Sequence, residues 1–207
     1  MCPRKAAALR DAGEVSLRDH LVATAERLIR RRGLARLTVR DIAREAGVAD
    51  GVLYNHFSAK EELLAYALRA CVRSAGLALG DPPRAGEGAV EDGLRAYVHY
   101  GLALHAKLLP VLAELPAQPK VLARFAALTA DDPRWELRPA LAGYLRAERE
   151  LGRIAPDARV EAAATMIVGA CHEVVLPQVF ERTAGPLRVP PGFVDDLVAT
   201  VLDGIRA

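Results

Sequence analysis

A chain of 207 residues is long enough to bury a real core and fits one large or two small domains. Its three cysteines (Cys2, Cys71, Cys171) are odd in number and far apart, which excludes a disulfide framework and a zinc-binding spacing and makes a reducing cytoplasm the simplest setting. The net charge of +2 hides an asymmetry: residues 1–60 hold 12 Lys and Arg against 7 Asp and Glu, while residues 61–207 hold 16 against 19, so only the N-terminal part suits a polyanion.

Aromatics make up 5% of the chain, Ala and Leu are plentiful and β-branched runs are short, a balance that predicts helices throughout. Residues 1–15 lack a period. They have no long apolar core and no small-residue cleavage site, so no signal peptide is expected. Pro3, Arg4, Lys5 and Arg10 form either a basic arm that reaches a polyanion or a frayed terminus.

Three helix starts then share one signature. Ser16-x-x-Asp19, Thr38-x-x-Asp41 and Ser58-x-x-Glu61 each place a hydroxyl three residues before an acid, ahead of an apolar run. The hydroxyl can accept from an orphan backbone N–H, and the acid favours the positive helix end. The first helix carries Leu17, Leu21, Ala25 and Leu28 and closes on Arg30, Arg31, Arg32 and Gly33. The second closes at Gly47, and a third is expected from about Asp50 to His56. The fourth begins near Ala59 and turns Leu63, Leu64, Ala67, Leu68, Cys71 and Val72 inward.

Gly80–Gly88 (GDPPRAGEG) is a break and the expected domain junction. Val90–Leu109 is apolar on nearly every side, as a buried central helix requires. Pro110, Pro116 and Pro119 are expected to cut the next stretch into short pieces. Trp135–Leu151 reads as an amphipathic helix and Gly152–Asp157 as a turn. Ala158–Glu181 reads as a long helix rich in small residues. Its longest apolar stretch, Ala162–Cys171, is short of the ~20 residues that cross a bilayer, so no membrane is expected as a partner. After the break at Gly185–Gly192, Phe193, Leu197, Val198, Val201, Leu202 and Ile205 form a final stripe. No repeat or low-complexity segment is present.

Residues 38–64 carry most of the information. Ala43, Gly47 and Leu53 fall where a helix-turn-helix needs a small residue at the crossing, a turn and a core anchor, leaving the second helix free to lie in a DNA major groove. Thr38-Val39-Arg40-Asp41-Ile42-Ala43, Ala46-Gly47-Val48, Gly51-Val52-Leu53-Tyr54-Asn55-His56-Phe57 and Lys60-Glu61-Glu62-Leu63-Leu64 together resemble the N-terminal DNA-binding domain of the TetR family of bacterial transcriptional repressors. The rest of the chain carries no motif of that family, only a helical pattern of suitable length.

The resemblance implies an all-α fold: a three-helix helix-turn-helix domain joined by a fourth helix to a helical bundle that binds ligand and dimerises. The domains it implies are a flexible basic arm (1–15), a DNA-binding head (16–62) and an effector and dimerisation region (63–207). It also implies roles. Thr38 resembles a phosphate contact through its hydroxyl and backbone N–H. Arg40 is similar to a position that reads guanine. Asp50 and Gly51 open the reading helix. Tyr54, Asn55 and His56 face DNA, the first and last as phosphate contacts, and Lys60 resembles a phosphate clamp. Structural readings stand beside these: Thr38 as a cap, Arg40 as a solvated cation, Tyr54 and His56 as packing. Two positions depart from the family pattern. Ala49 offers no side-chain cap, and Asp50 places an acid where it repels phosphate, although it could accept from cytosine N4.

The implied partners are a double-stranded DNA operator, an unknown small-molecule effector and a second copy of the chain joined through 158–181 and 193–205. Polar or aromatic residues within apolar stripes are the expected effector lining: Tyr97, Gly101, His105, Trp135, Tyr144, Met166 and Cys171. Each is equally at home in an ordinary core. The expected ligand is largely apolar with one or two hydrogen bonds. No enzyme is expected. Cys171, His172 and Glu173 are adjacent and diverge by about 100° on a helix, and HExxH, Walker and GxGxxG patterns are missing. No cofactor is implied. His99, His105 and His172 have no metal-ligand spacing. The expected function is a cytoplasmic DNA-binding regulator, a repressor released by its ligand. The alternatives are a ligand-independent regulator on the same fold, or a helical small-molecule-binding protein with a vestigial head.

Overall fold

A computed structural model describes residues 16–130, 136–181 and 185–205. Among them are eight α-helices and two 3₁₀ segments, and no strand. The arm expected at 1–15 lies outside the described residues. The described chain packs as two compact units: residues 16–74 with 110–130, and residues 75–109 with 136–181 and 185–205.

In the first unit, α1 (Leu17–Arg32) starts where Ser16 accepts from the Asp19 N–H, and it buries Leu21, Ala25, Leu28 and Ile29 on one face. Helix α2 (Val39–Ala46) begins with a reciprocal capping box between Thr38 and Asp41 and stops at Gly47. Gly47 has φ +70°, a left-handed conformation that needs no Cβ, and its N–H turns back to the Ala43 and Arg44 carbonyls.

Helix α3 (Lys60–Leu79) begins one residue later than its sequence signature predicts. The reciprocal partner of Ser58 is therefore Glu62, not Glu61: one Glu62 oxygen accepts from both the Ser58 N–H and hydroxyl at 2.7 Å. Starting the helix at Lys60 puts Glu62, rather than Glu61, at its third position.

Helix α4 (Val90–Leu112) does not break at Pro110, as the sequence led us to expect. The proline lies two residues from the helix end, where its missing N–H removes a single hydrogen bond. A 3₁₀ turn (Leu115–Ala117) and α5 (Pro119–Thr129) come next, α5 with proline at its first position. Val121 and Phe125 of α5 are buried, with Leu115 before them.

In the second unit, α6 (Leu137–Glu150) packs on α7 (Val160–Phe180), and α7 packs on α8 (Phe193–Ile205). Leu141 and Leu145 of α6 and Ile167 and Cys171 of α7 are fully enclosed. Each such aliphatic contributes about 1.5–3 kcal/mol of burial. The α8 stripe is buried at Val198, Val201, Leu202 and Ile205. The Ile205 carbonyl accepts from the Ala155 N–H at 2.9 Å, which fixes the end of α8 to the turn after α6.

Helix α7 is apolar almost all round but buried on one side only, at Val160, Ala163, Ala164, Ile167, Cys171 and Val175. Ala162, Met166, Gly169 and Glu173 recur on its opposite, exposed face. The apolar run in the sequence is short, yet the helix formed around it has 21 residues and an 18-residue window of mean hydropathy 1.4, long and apolar enough to cross a bilayer by length and composition alone. Only 28% of that window is buried.

Candidate functional site

The segment after Gly47 is a 3₁₀ helix (Asp50–Asn55), not the α-helix reaching His56 that the sequence implies. Ala49 provides no side-chain cap, and the Val52 N–H closes directly on the Ala49 carbonyl at 2.9 Å. A three-residue turn of that kind suits a segment too short to offset the cost of α-helical nucleation. One side chain anchors it: Leu53 is buried, and the Leu53 carbonyl accepts from both the His56 and Phe57 N–H groups. Phe57, also buried, lies under the Arg18 guanidinium, which spans the Phe57 ring (4.8 Å) and the Tyr66 ring (4.1 Å). The segment is therefore held from α1, α2 and α3 while its outer side stays free.

That outer side carries the expected contacts. Tyr54 is 59% exposed and the Arg40 side chain 83%. Asp50, Gly51 and Asn55 are exposed, and His56 and Lys60 are half-buried. Nothing lies within 4 Å of a Cβ built on Gly51, so the backbone there is open to close approach. Arg40 and Asp50 are joined: the guanidinium Nε lies 3.5 Å from Asp50 Oδ2. The acid that would repel phosphate is thereby turned toward the cation expected to read a base.

Thr38 differs from its expected role in detail. Its N–H and its hydroxyl both donate to Asp41 Oδ2, and its Oγ1 accepts from the Asp41 N–H. These bonds, the hydroxyl's foremost, hold the Asp41 carboxyl below its usual range. A phosphate at this helix start would meet the uncapped N–H groups of the first turn instead.

Three further side chains brace the head, and the sequence offers no signal for two of them. Glu114 accepts from the Leu34 and Ala35 N–H groups. Arg18 covers Phe57. Glu62 collects Ser58, Arg18 (3.9 Å) and Arg124 (4.0 Å), with the Ser58 bonds chiefly lowering its pKa. Only Glu62 is visible in the sequence, as a neighbour of the predicted capping acid.

The second unit holds a cavity of about 490 Å³. Leu77, Pro82, Leu104, Leu137 and Ala140 supply most of its apolar wall, with Gly76 and Gly80 beside them. Tyr97, Tyr100 and Asp81 supply the polar groups. Of the expected lining, Tyr97 is in this wall. Gly101 is buried where a Cβ would come within 2.8 Å of Leu137 and 3.2 Å of Cys171 Sγ, so it serves close packing. Tyr144 packs against Tyr97 with ring centroids 5.0 Å apart. Cys171 points at the Val98 carbonyl (3.8 Å), and burial lifts its thiol to about 12. Met166 is a correction: it is 53% exposed, because it lies on the outward face of α7. Trp135 lies outside the described residues. Tyr100 and Asp81 were missed. Tyr100 stands three residues after Tyr97, on the same helical face, and that spacing could have found it.

His105 and His172 stack with centroids 4.1 Å apart. Burial, and then His172, push His105 down to about 4. Its Nδ1 has no partner. His99 is exposed, and no cluster of three metal-ligating side chains occurs among the described residues.

Four likenesses bear on this arrangement. The family described as bacterial regulatory proteins, tetR family, matches residues 21–67. The HTH-type transcriptional repressor KstR2 of Mycobacterium tuberculosis is 48% identical over 61 residues, 29% of this chain; the match spans only 30% of that relative's length. The fatty acid degradation regulator FadR from Bacillus halodurans shares the fold at TM-score 0.63 and 22% identity, over 92% of this chain and 97% of that one. FadR from Bacillus subtilis, solved in complex with stearoyl-CoA, does so at TM-score 0.56 and 20% identity, over 90% and 98%. A segment held outward on a helix-turn-helix thus lies within the stretch, residues 21–67, that matches the family described as bacterial regulatory proteins, tetR family, and the fold as a whole is similar to that of the two Bacillus regulators.

Proposed function

We propose that the protein is a DNA-binding transcriptional regulator of the cytoplasm, a repressor that leaves its operator when a small, largely apolar ligand occupies the cavity of the second unit. The observation that carries the reading is the Asp50–Asn55 segment, in which Leu53 is buried while Asp50, Gly51, Tyr54 and Asn55 face solvent beside Arg40. Lys60, Tyr54, His56 and the first turn of α2 would set the register on phosphates, and Arg40 would read a base edge. The basic balance of residues 1–60 favours the same polyanion.

One such head buries too little surface for tight specificity, so two are expected on one duplex, about 34–36 Å apart. We place the dimer contact on α7 and α8. The exposed apolar face of α7 supports this, because a face of that kind needs cover. The α8 stripe is used inside its own unit, so α8 would contribute its outer residues.

Ligand release has the logic of a population shift: the ligand must bind better to the DNA-incompetent arrangement. The cavity volume lies in the range of small-molecule sites. Stearoyl-CoA on the Bacillus subtilis protein is a precedent for ligand binding on this fold. We assign no catalytic role. Cys171 is buried and His172 and Glu173 are exposed, so the three do not converge.

The test is selection of bound duplexes from a random pool, followed by gel shifts of the winner with and without candidate ligands. Salt-sensitive, sequence-selective binding is expected. A protein with no salt-dependent affinity for any duplex would refute the reading, and release by no ligand would leave a constitutive regulator.

A further inference from the structure

We propose that the cavity of the second unit takes a lipophilic monocation, an amine or quaternary ammonium on an apolar body, whose charge meets the Asp81 carboxylate and the rings of Tyr97 and Tyr100. This rests on the reading that the cavity is the effector site, and it adds the ligand's chemical class.

The wall decides the sign of the charge. Among the described residues that line the cavity, Asp81 is the single formal charge, and no Lys, Arg or His stands with it. A fatty acid or an acyl thioester with its phosphates would bring negative charge beside Asp81 and find no cation to pair it among the described lining residues. A cation gains in two ways there. It pairs with the carboxylate, and it sits against tyrosine rings whose faces are electron-rich.

The field of Asp81 reaches the ring beside it. Burial raises the Tyr100 phenol, and the charge of Asp81 adds to that rise. Tyr100 is half-buried, with its hydroxyl at ordinary van der Waals distance (3.6 Å) from where a Cβ on Gly76 would stand. Tyr97 is buried against Tyr144, which fixes its ring. Two tyrosine rings and the exposed Asp81 at the mouth, with Leu77, Pro82, Leu104 and Leu137 beside them, make a site with an apolar body and a negative end.

The experiment uses the full chain and three probes with one tail and three charges: decyltrimethylammonium, decanol and decanoate, each kept below its micelle concentration and followed by calorimetry. The cation is expected to bind roughly tenfold tighter than the alcohol, and the acid weakest. Asp81→Asn should remove about that tenfold for the cation and leave decanol unchanged. Tyr100→Leu should weaken the cation more than the alcohol, whereas Tyr100→Phe should keep most of the affinity. Decanoate binding as well as the cation, an Asp81→Asn variant with unaltered cation affinity, or no binding by any probe would each overturn the proposal. Gel shifts on the same samples separate the two claims. Cation binding without DNA release sinks the effector reading alone, and DNA release by decanoate sinks the charge assignment alone.

Discussion

The carboxylate of Glu114, just past the end of α4, accepts from the backbone N–H of Leu34 at 2.6 Å, in the turn between α1 and α2. The same oxygen takes the Ala35 N–H at 2.8 Å. Gly33 stands beside it with φ +78°, where an added Cβ would come within 2.5 Å of Glu114 Oε1. An 80-residue separation in sequence thus closes on the joint of the helix-turn-helix. Glu114→Ala should destabilise the protein by about 1–3 kcal/mol, because two N–H groups lose a charged acceptor. Gly33→Ala should be severe in the native background and milder in Glu114→Ala, where the clash is gone and only the backbone strain remains. Urea unfolding of the four proteins in the cycle measures this coupling, and additive losses would contradict it.

The Arg40–Asp50 pair makes opposite predictions for its two members. Arg40→Ala should cost ~1–3 kcal/mol on a selected site and little on random DNA. Asp50→Asn removes an acid from the DNA side, so affinity for all sequences should rise. Its salt slope should steepen by about one unit, and preference at the base read by Arg40 should broaden as the side chain loses its tether. Lys60→Ala should flatten the slope by about one unit without changing the preferred sequence. Fluorescence anisotropy across a salt series reads all three.

Gly51→Ala separates folding from binding. The position has open space around it and an ordinary negative φ, so thermal stability should hold or rise slightly. DNA affinity should fall, because the added methyl sits where the backbone approaches the duplex. Equal affinity for both proteins would show that the Gly51 side does not meet DNA.

His105 makes stability depend on pH. Its folded pKa of about 4 lies below the ordinary histidine value of 6.5, through burial first and His172 second. The unfolded chain therefore binds this proton more readily. The contribution is fully present above pH 6.5 and falls away as pH drops toward 4, by on the order of 3 kcal/mol. His105→Leu should flatten that window. Denaturant midpoints at pH 7, 6 and 5 check it, and an unchanged slope in the variant would assign the effect to other groups.

The head was legible because its signals are local. A hydroxyl three residues before an acid, a glycine after a helix and a leucine six residues on are all short-range rules, and Thr38, Asp41, Gly47 and Leu53 obey them. Ser58 shows the limit of such rules, since shifting the helix start by one residue moved its partner to Glu62. Glu114 and Arg18 were illegible because each acts across long separations on backbone or ring groups that any sequence could present. The cavity was half-read. Tyr97 was found as an aromatic in an apolar stripe, but Gly101 and Cys171 lie in apolar stripes for packing and the pattern cannot tell wall from core. Met166 failed for a related reason: a helix apolar on all sides gives no clue to which side is covered.

The reading segment is secured by Leu53 alone among its fully enclosed side chains, with Phe57 and Arg18 bracing it from behind. On the proposed function, stability and operator choice would be written in different residues of one six-residue turn. Positions 50, 51, 54 and 55 could then be randomised together in a library with little loss of folded clones, and the head would serve as a practical scaffold for retargeting to new duplexes.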